Sequence, residues 1–140
     1  MDETLKEANL KRSVKKFFWD TFYTGESIQV YFDRLNLPPE NGSINQWISV
    51  RMKDLIVDQV SSVDLLVHLF TKRDWEGDQL AALRDTVFNC LQGGIEFYDA
   101  DWTQLGGLKV YHDHETETMN LPDGIKMKTL TLNLKWGAVY

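Results

Sequence analysis

The segment from Ser62 to Lys72, SVDLLVHLFTK, constrains the fold more than any other part of the chain. In a strand, successive side chains point to opposite faces, so Val63, Leu65, Val67 and Leu69 would face one way and Asp64, Leu66, His68 and Phe70 the other. With few polar positions on either side, this reads as a central strand covered on both faces. Its neighbours are also legible. SIQVYFDRL, from Ser27, sets Ile28, Val30 and Phe32 against Gln29, Tyr31 and Asp33. INQWISVRM, from Ile44, sets Ile48, Val50 and Met52 against Trp47, Ser49 and Arg51. Both read as strands with one buried face. The intervening LPPENGS contains Asn41-Gly42, a turn signal because both residues tolerate positive φ.

Two stretches change to the helical period. Leu10, Val14, Phe17, Phe18 and Phe22 recur at steps of three and four, and Gly25 is expected to stop that helix. Lys11, Arg12, Lys15 and Lys16 fill the rest of its surface. Because Asp2, Glu3, Glu7 and Asp20 interleave with them, they read as a solvated face rather than a nucleic-acid stripe. In DWEGDQLAALRDTVFNCLQGG, from Asp74, the apolar stripe is Leu80, Leu83, Val87, Cys90 and Leu91. Asp74, Glu76 and Asp78 sit near the positive end of the helix dipole, and Gly93-Gly94 closes it. Short strands follow at IEFYD and LKVYHDH. The last segment, GIKMKTLTLNLKWGAVY, shifts phase: Ile125 and Met127 are odd, whereas Leu130, Leu132, Leu134 and Trp136 are even. A one-residue insertion flips the buried face, which predicts a bulge or turn near Lys128-Thr129.

The order helix, three strands, helix, three strands predicts an α+β chain, with residues 1–140 forming a single two-layer domain. Its sheet would be mostly antiparallel with two helices packed against it. A length of 140 residues and a composition of 43% apolar and 26% charged residues suit one core without staples. The lone cysteine, Cys90, lies on an apolar stripe, where a buried and inert thiol in a reducing cytoplasm is the reading. A net charge of −6 argues against sequence-independent attraction to nucleic acid. No segment approaches the roughly 20 consecutive apolar residues of a membrane span, and the charged start lacks a secretory apolar core, so a soluble protein with no membrane partner is expected.

Candidate chemistry is sparse. His112 and His114, two apart on a strand, could share a face and an ion, with Glu115 or His68 as a further ligand. A structural zinc needs about four protein ligands, and the local sequence supplies two histidines and one carboxylate. Asp99 and Asp101 could form an acid–base pair, but no nucleophile or phosphate-binding glycine loop accompanies them. No catalytic, cofactor or metal residue is therefore assigned. Trp47 and Trp75 occupy a polar strand face and a helix start. There they are either partly exposed anchors or contacts to a neighbouring copy.

The quoted segments, taken in the order α-β-β-β-α-β-β-β, resemble the tail-terminator or tail-completion proteins of long-tailed phages, the minor tail protein U-like family. The parts that carry the likeness are NLKRSVKKFFWDTF, SIQVYF, NQWISVRM with VDLLVHLF, DQLAALRDTVFNCL and the three C-terminal strand segments. The resemblance implies a virion protein assembled in the host cytoplasm. It implies a homo-oligomeric ring, usually of six subunits, that caps the tail tube protein and meets the head connector. Genomic DNA would pass through the ring without specific binding. No catalytic residue or cofactor is implied. Loops in that family contact tube and neighbours, which would make His112, Asp113, His114, Glu115, Pro122 and Asp123 an interface hairpin beside Trp47 and Trp75. The alternatives are a head-closure or other neck protein, an adaptor domain, or a metal-dependent enzyme using His112 and His114.

Overall fold

The computed structural model describes residues 2–33 and 44–137, so the expected turn at Asn41-Gly42 lies outside the described residues. Along the described chain run α1 (Glu7–Phe18), β1 (Gln29–Phe32), β2 (Gln46–Met52), β3 (Val60–Lys72) and α2 (Asp78–Leu91). They are followed by β4 (Ile95–Tyr98), β5 (Gln104–Glu115), β6 (Met119–Leu121) and β7 (Ile125–Gly137). The sheet order is β1-β2-β3-β7-β5-β4, with β6 also pairing to β7. The result is an α+β fold, as the periodicities predict, built on a curled sheet. That sheet is mixed rather than uniformly antiparallel, because β1 runs parallel to β2.

SVDLLVHLFTK falls in β3, inside the sheet between β2 and β7. Val63, Leu65, Val67 and Leu69 are fully buried on the face that both helices cover. Leu10, Val14, Phe18 and Phe22 from the first helical stretch, with Leu80, Leu83, Val87 and Leu91 from α2, complete that core. Gly25 does not stop the first helix. Beyond Phe18 the chain widens into a π-helical turn, Trp19–Thr24. Gly25 keeps a right-handed φ of −78°, and the reversal comes at Ser27, with φ 57°. Gly94 behaves as expected after α2. Its φ of +79° is one that glycine adopts without strain, and a Cβ there would sit 2.8 Å from the Leu108 carbonyl oxygen.

The bulge predicted near Lys128-Thr129 is absent. β7 pairs with β3 without interruption, from Ile125 beside Lys72 to Gly137 beside Val60. The phase change has another cause. At this end the sheet buries apolar side chains on both faces, the odd-numbered Met127 joining Trp47 and Phe70 in a second cluster on the face away from the helices. The even-numbered Leu130, Leu132 and Leu134 join the main core. A bulge does occur in β5, where the register with β7 jumps between His112 and His114 and leaves Asp113 as the extra residue.

Polar anchors tie the layers together. The Ser13 hydroxyl accepts from the Tyr98 amide (2.8 Å) and donates to the Asn9 carbonyl (2.8 Å), joining α1 to β4. The Trp136 indole donates to the Thr4 carbonyl at 2.9 Å. Asp74 caps α2, accepting from the Leu80 amide (2.8 Å), the Gln79 amide (3.1 Å) and the Thr71 hydroxyl (3.0 Å). Burial alone would raise its carboxyl, but these donors hold it below the usual carboxylate value.

Candidate functional site

The bulge decides what HDHE can do. His112 lies opposite Leu132, whose side chain is in the main core, whereas His114 lies opposite Thr131 on the other side of the sheet. The two imidazoles therefore face away from each other, and the alternation that would have paired them at one ion is broken at Asp113. Among the described residues no three His, Cys, Asp or Glu side chains are placed to hold a metal.

His112 and Glu115 do share the helix side. His112 Nε2 lies 3.1 Å from Glu115 Oε2, and its ring meets Phe88 of α2 edge-on at 5.0 Å. Arg84, one turn earlier on α2, donates Nε to Glu115 Oε1 at 2.8 Å and Nη2 to Oε2 at 2.7 Å. The Arg84 guanidinium also lies 4.4 Å from the centre of the Phe88 ring. This two-pronged pair, with a further bond from His112, holds the Glu115 carboxyl down to about 2. The cluster fastens α2 to the bulged strand, so the end of HDHE is a structural clamp.

The remaining predicted residues divide by exposure. Trp47 is 1% exposed and stacked on Phe70 with ring centres 5.2 Å apart, so its indole is spent inside the subunit. Trp75 is 79% exposed. It stands beside the turn Pro122–Gly124, where a Cβ on Gly124 would meet its ring at 3.6 Å. Pro122, Asp123 and Trp75 are thus brought together at the end of the sheet where Lys72 pairs with Ile125. Asp123 and Gly124 both take positive φ, 66° and 70°, the conformation of a tight hairpin turn.

Other sequence candidates resolve into structural parts. Asp99 accepts from the amides of Asp101 (2.9 Å) and Thr103 (2.8 Å) and so shapes the turn before β5, while Asp101 is exposed. Cys90 is half-buried, and burial pushes its thiol up, away from the reactive thiolate. His68 is buried on the second face, where its Nδ1 lies 2.8 Å from the Thr129 hydroxyl. Burial, with Arg51 as a lesser influence, lowers its pKa.

One surface goes unnoticed in the sequence. The outward stripe of α1 forms the floor of an open groove of about 980 Å³, lined by Ala8, Lys11, Arg12, Lys15, Lys16, Trp19 and Asp20. Phe32 from β1 closes one side and Trp102, from the turn before β5, the other. Lys16 lies over the rings of Tyr98 and Trp102, at 5.7 and 5.8 Å, and pairs with Asp20. Lys15 lies 5.8 Å from the centre of Phe32. Helical spacing places the cations on one stripe, but Phe32 and Trp102 reach it only through the curl of the sheet, so no local pattern announces them.

The fold and its surfaces define a class: a small α+β domain whose curled mixed sheet carries two helices on one face, with groove and turn surfaces rather than a catalytic constellation among the described residues. No family model and no curated protein matches the sequence. Solved structures share its fold. One superposes with a TM-score of 0.65 at 8% identity, covering 97% of this chain and 97% of its own. A chain of the virion of a native gene transfer agent (GTA) particle superposes with a TM-score of 0.60 at 13% identity, covering 94% of this chain and 96% of its own. At these identities the likeness is one of fold.

Proposed function

We propose that this chain is a structural component of a phage-like virion, and within that class a tail terminator. Its copies would form a closed homo-oligomeric ring on the end of the tail tube, with the second ring face meeting the head connector. The observation that carries the reading is the near end-to-end superposition on a chain of the GTA virion particle, covering 94% and 96% of the two chains. The order of elements read from the sequence, to which the structure adds the short β6, resembles the tail-terminator family and supports the finer assignment. A head-closure protein at the same junction is the nearest alternative. On this reading the chain acts by binding and closure, with no catalytic residue. The chain's net charge of −6 would favour passage of DNA through the channel without adhesion.

The test is reconstitution. Purified chain should form rings of uniform subunit number, seen by light scattering and electron microscopy, and should stop elongation of tubes assembled from a cognate tail-tube protein. Rings that bind the connector but leave tubes growing would favour head closure. A chain that stays monomeric and ignores both partners would falsify the virion reading.

A further inference from the structure

The groove on α1 and the exposed Trp75 are two separate surfaces of the subunit. The groove has an aromatic and aliphatic lining, including Trp19, 46% exposed, and Trp102, 53% exposed, beneath a rim of cations. Four basic side chains face a single carboxylate there, in a chain whose net charge is −6. Elsewhere on the same chain Trp75 projects into solvent, followed by exposed Glu76 and Asp78. An indole would cover the apolar lining, and the carboxylates after it would meet the cations at the rim. About 980 Å³ accommodates an indole and the backbone that bears it.

We propose that the groove on α1 receives Trp75, with Glu76 and Asp78, from a second copy of this chain. The inference rests on the ring reading given above and supplies its contact. Groove and tryptophan share no residue, so one copy can give and take at two different surfaces. Following the ring reading, each copy gives Trp75 to one neighbour and takes it from another, which closes into a ring where the rotation allows; reciprocal insertion between two copies would instead stop at a two-fold dimer and overturn the ring arrangement. A nucleic-acid strand is the weaker fit: the net negative charge of the chain opposes it, and it would leave Trp75 exposed.

The experiment uses the full chain and two variants with opposite defects. Trp75→Ala removes the inserted side chain and leaves the groove, whereas Lys11→Glu with Lys15→Glu reverses the rim and leaves Trp75. Each variant alone should associate at least about tenfold more weakly than the wild type, the loss typical when a buried aromatic anchor is cut away. Circular dichroism should show both folded. Mixed in equal amounts, the two should form a one-to-one pair and no ring, because one intact groove and one intact tryptophan remain between them. Wild-type rings that persist unchanged in both variants would overturn this contact while leaving the ring reading in place. Absence of rings from the wild type would remove the ring reading and the contact with it. An oligonucleotide bound by the wild type and lost in the rim variant, with rings unaltered, would assign the groove to nucleic acid and overturn the proposal.

Discussion

Arg84 holds Glu115 through two parallel hydrogen bonds of 2.8 and 2.7 Å, joining the middle of α2 to the last residue of β5. Arg84→Ala or Glu115→Ala should each cost about 1–2 kcal/mol, and the double variant little more than either single one. Arg84→Lys should recover only part of the loss, because an ammonium cannot reproduce the fork. Urea unfolding of the four proteins measures the coupling; additive losses would mean that the two side chains act separately.

The same pair sets an acid limit. The folded Glu115 carboxyl is held at about 2 against an ordinary value of 4.5. Its contribution to stability is therefore complete above 4.5 and is lost as pH falls from there through about 2. Glu115→Gln should flatten the stability profile across that window, and a variant profile parallel to the wild type would assign the acid sensitivity to other groups.

His68 acts at milder pH. Burial lowers its folded pKa below the ordinary 6.5, so the unfolded chain takes a proton that the fold refuses. Stability should be full above 6.5 and decline as pH drops below it, down to the folded pKa. His68→Asn, which keeps a polar atom near Thr129, should reduce the decline; thermal melts at several pH values between about 7.5 and 5.5 follow it directly.

Trp47 and Trp75 should behave as opposites. Trp47→Ala opens a cavity beside Phe70 and should cost about 3–5 kcal/mol. Trp75→Ala should leave monomer stability within about 0.5 kcal/mol. Equal losses in denaturant titrations would mean that exposure does not separate their roles.

His112 and His114 should not bind zinc as a pair. Calorimetric titration with zinc is expected to give no saturable site. A stoichiometric signal lost in both His112→Ala and His114→Ala would show the bulge rearranging to bring the two rings together.

Periodicity disclosed much of this fold because it is a local property. A spacing of two in SVDLLVHLFTK and of three and four in the stripe Leu10, Val14, Phe18, Phe22 follows from strand and helix geometry, whatever the rest of the chain does. The buried face of each helix and the central place of β3 were legible in that way. The groove was not, because Phe32 and Trp102 are far from α1 in sequence and meet it only when the sheet curls.

The sequence by itself determined both helices with their buried stripes and every strand except the short β6, Met119–Leu121. Tertiary structure decided that β1 lies parallel to β2, that the sheet buries Trp47, Phe70 and Met127 on its second face, and that the extra residue is Asp113 rather than one near Lys128-Thr129. These depend on register between strands distant in sequence. A single-residue offset in that register sends His112 and His114 to opposite sides of the sheet, making one of them part of the clamp on α2 and leaving the other in solvent.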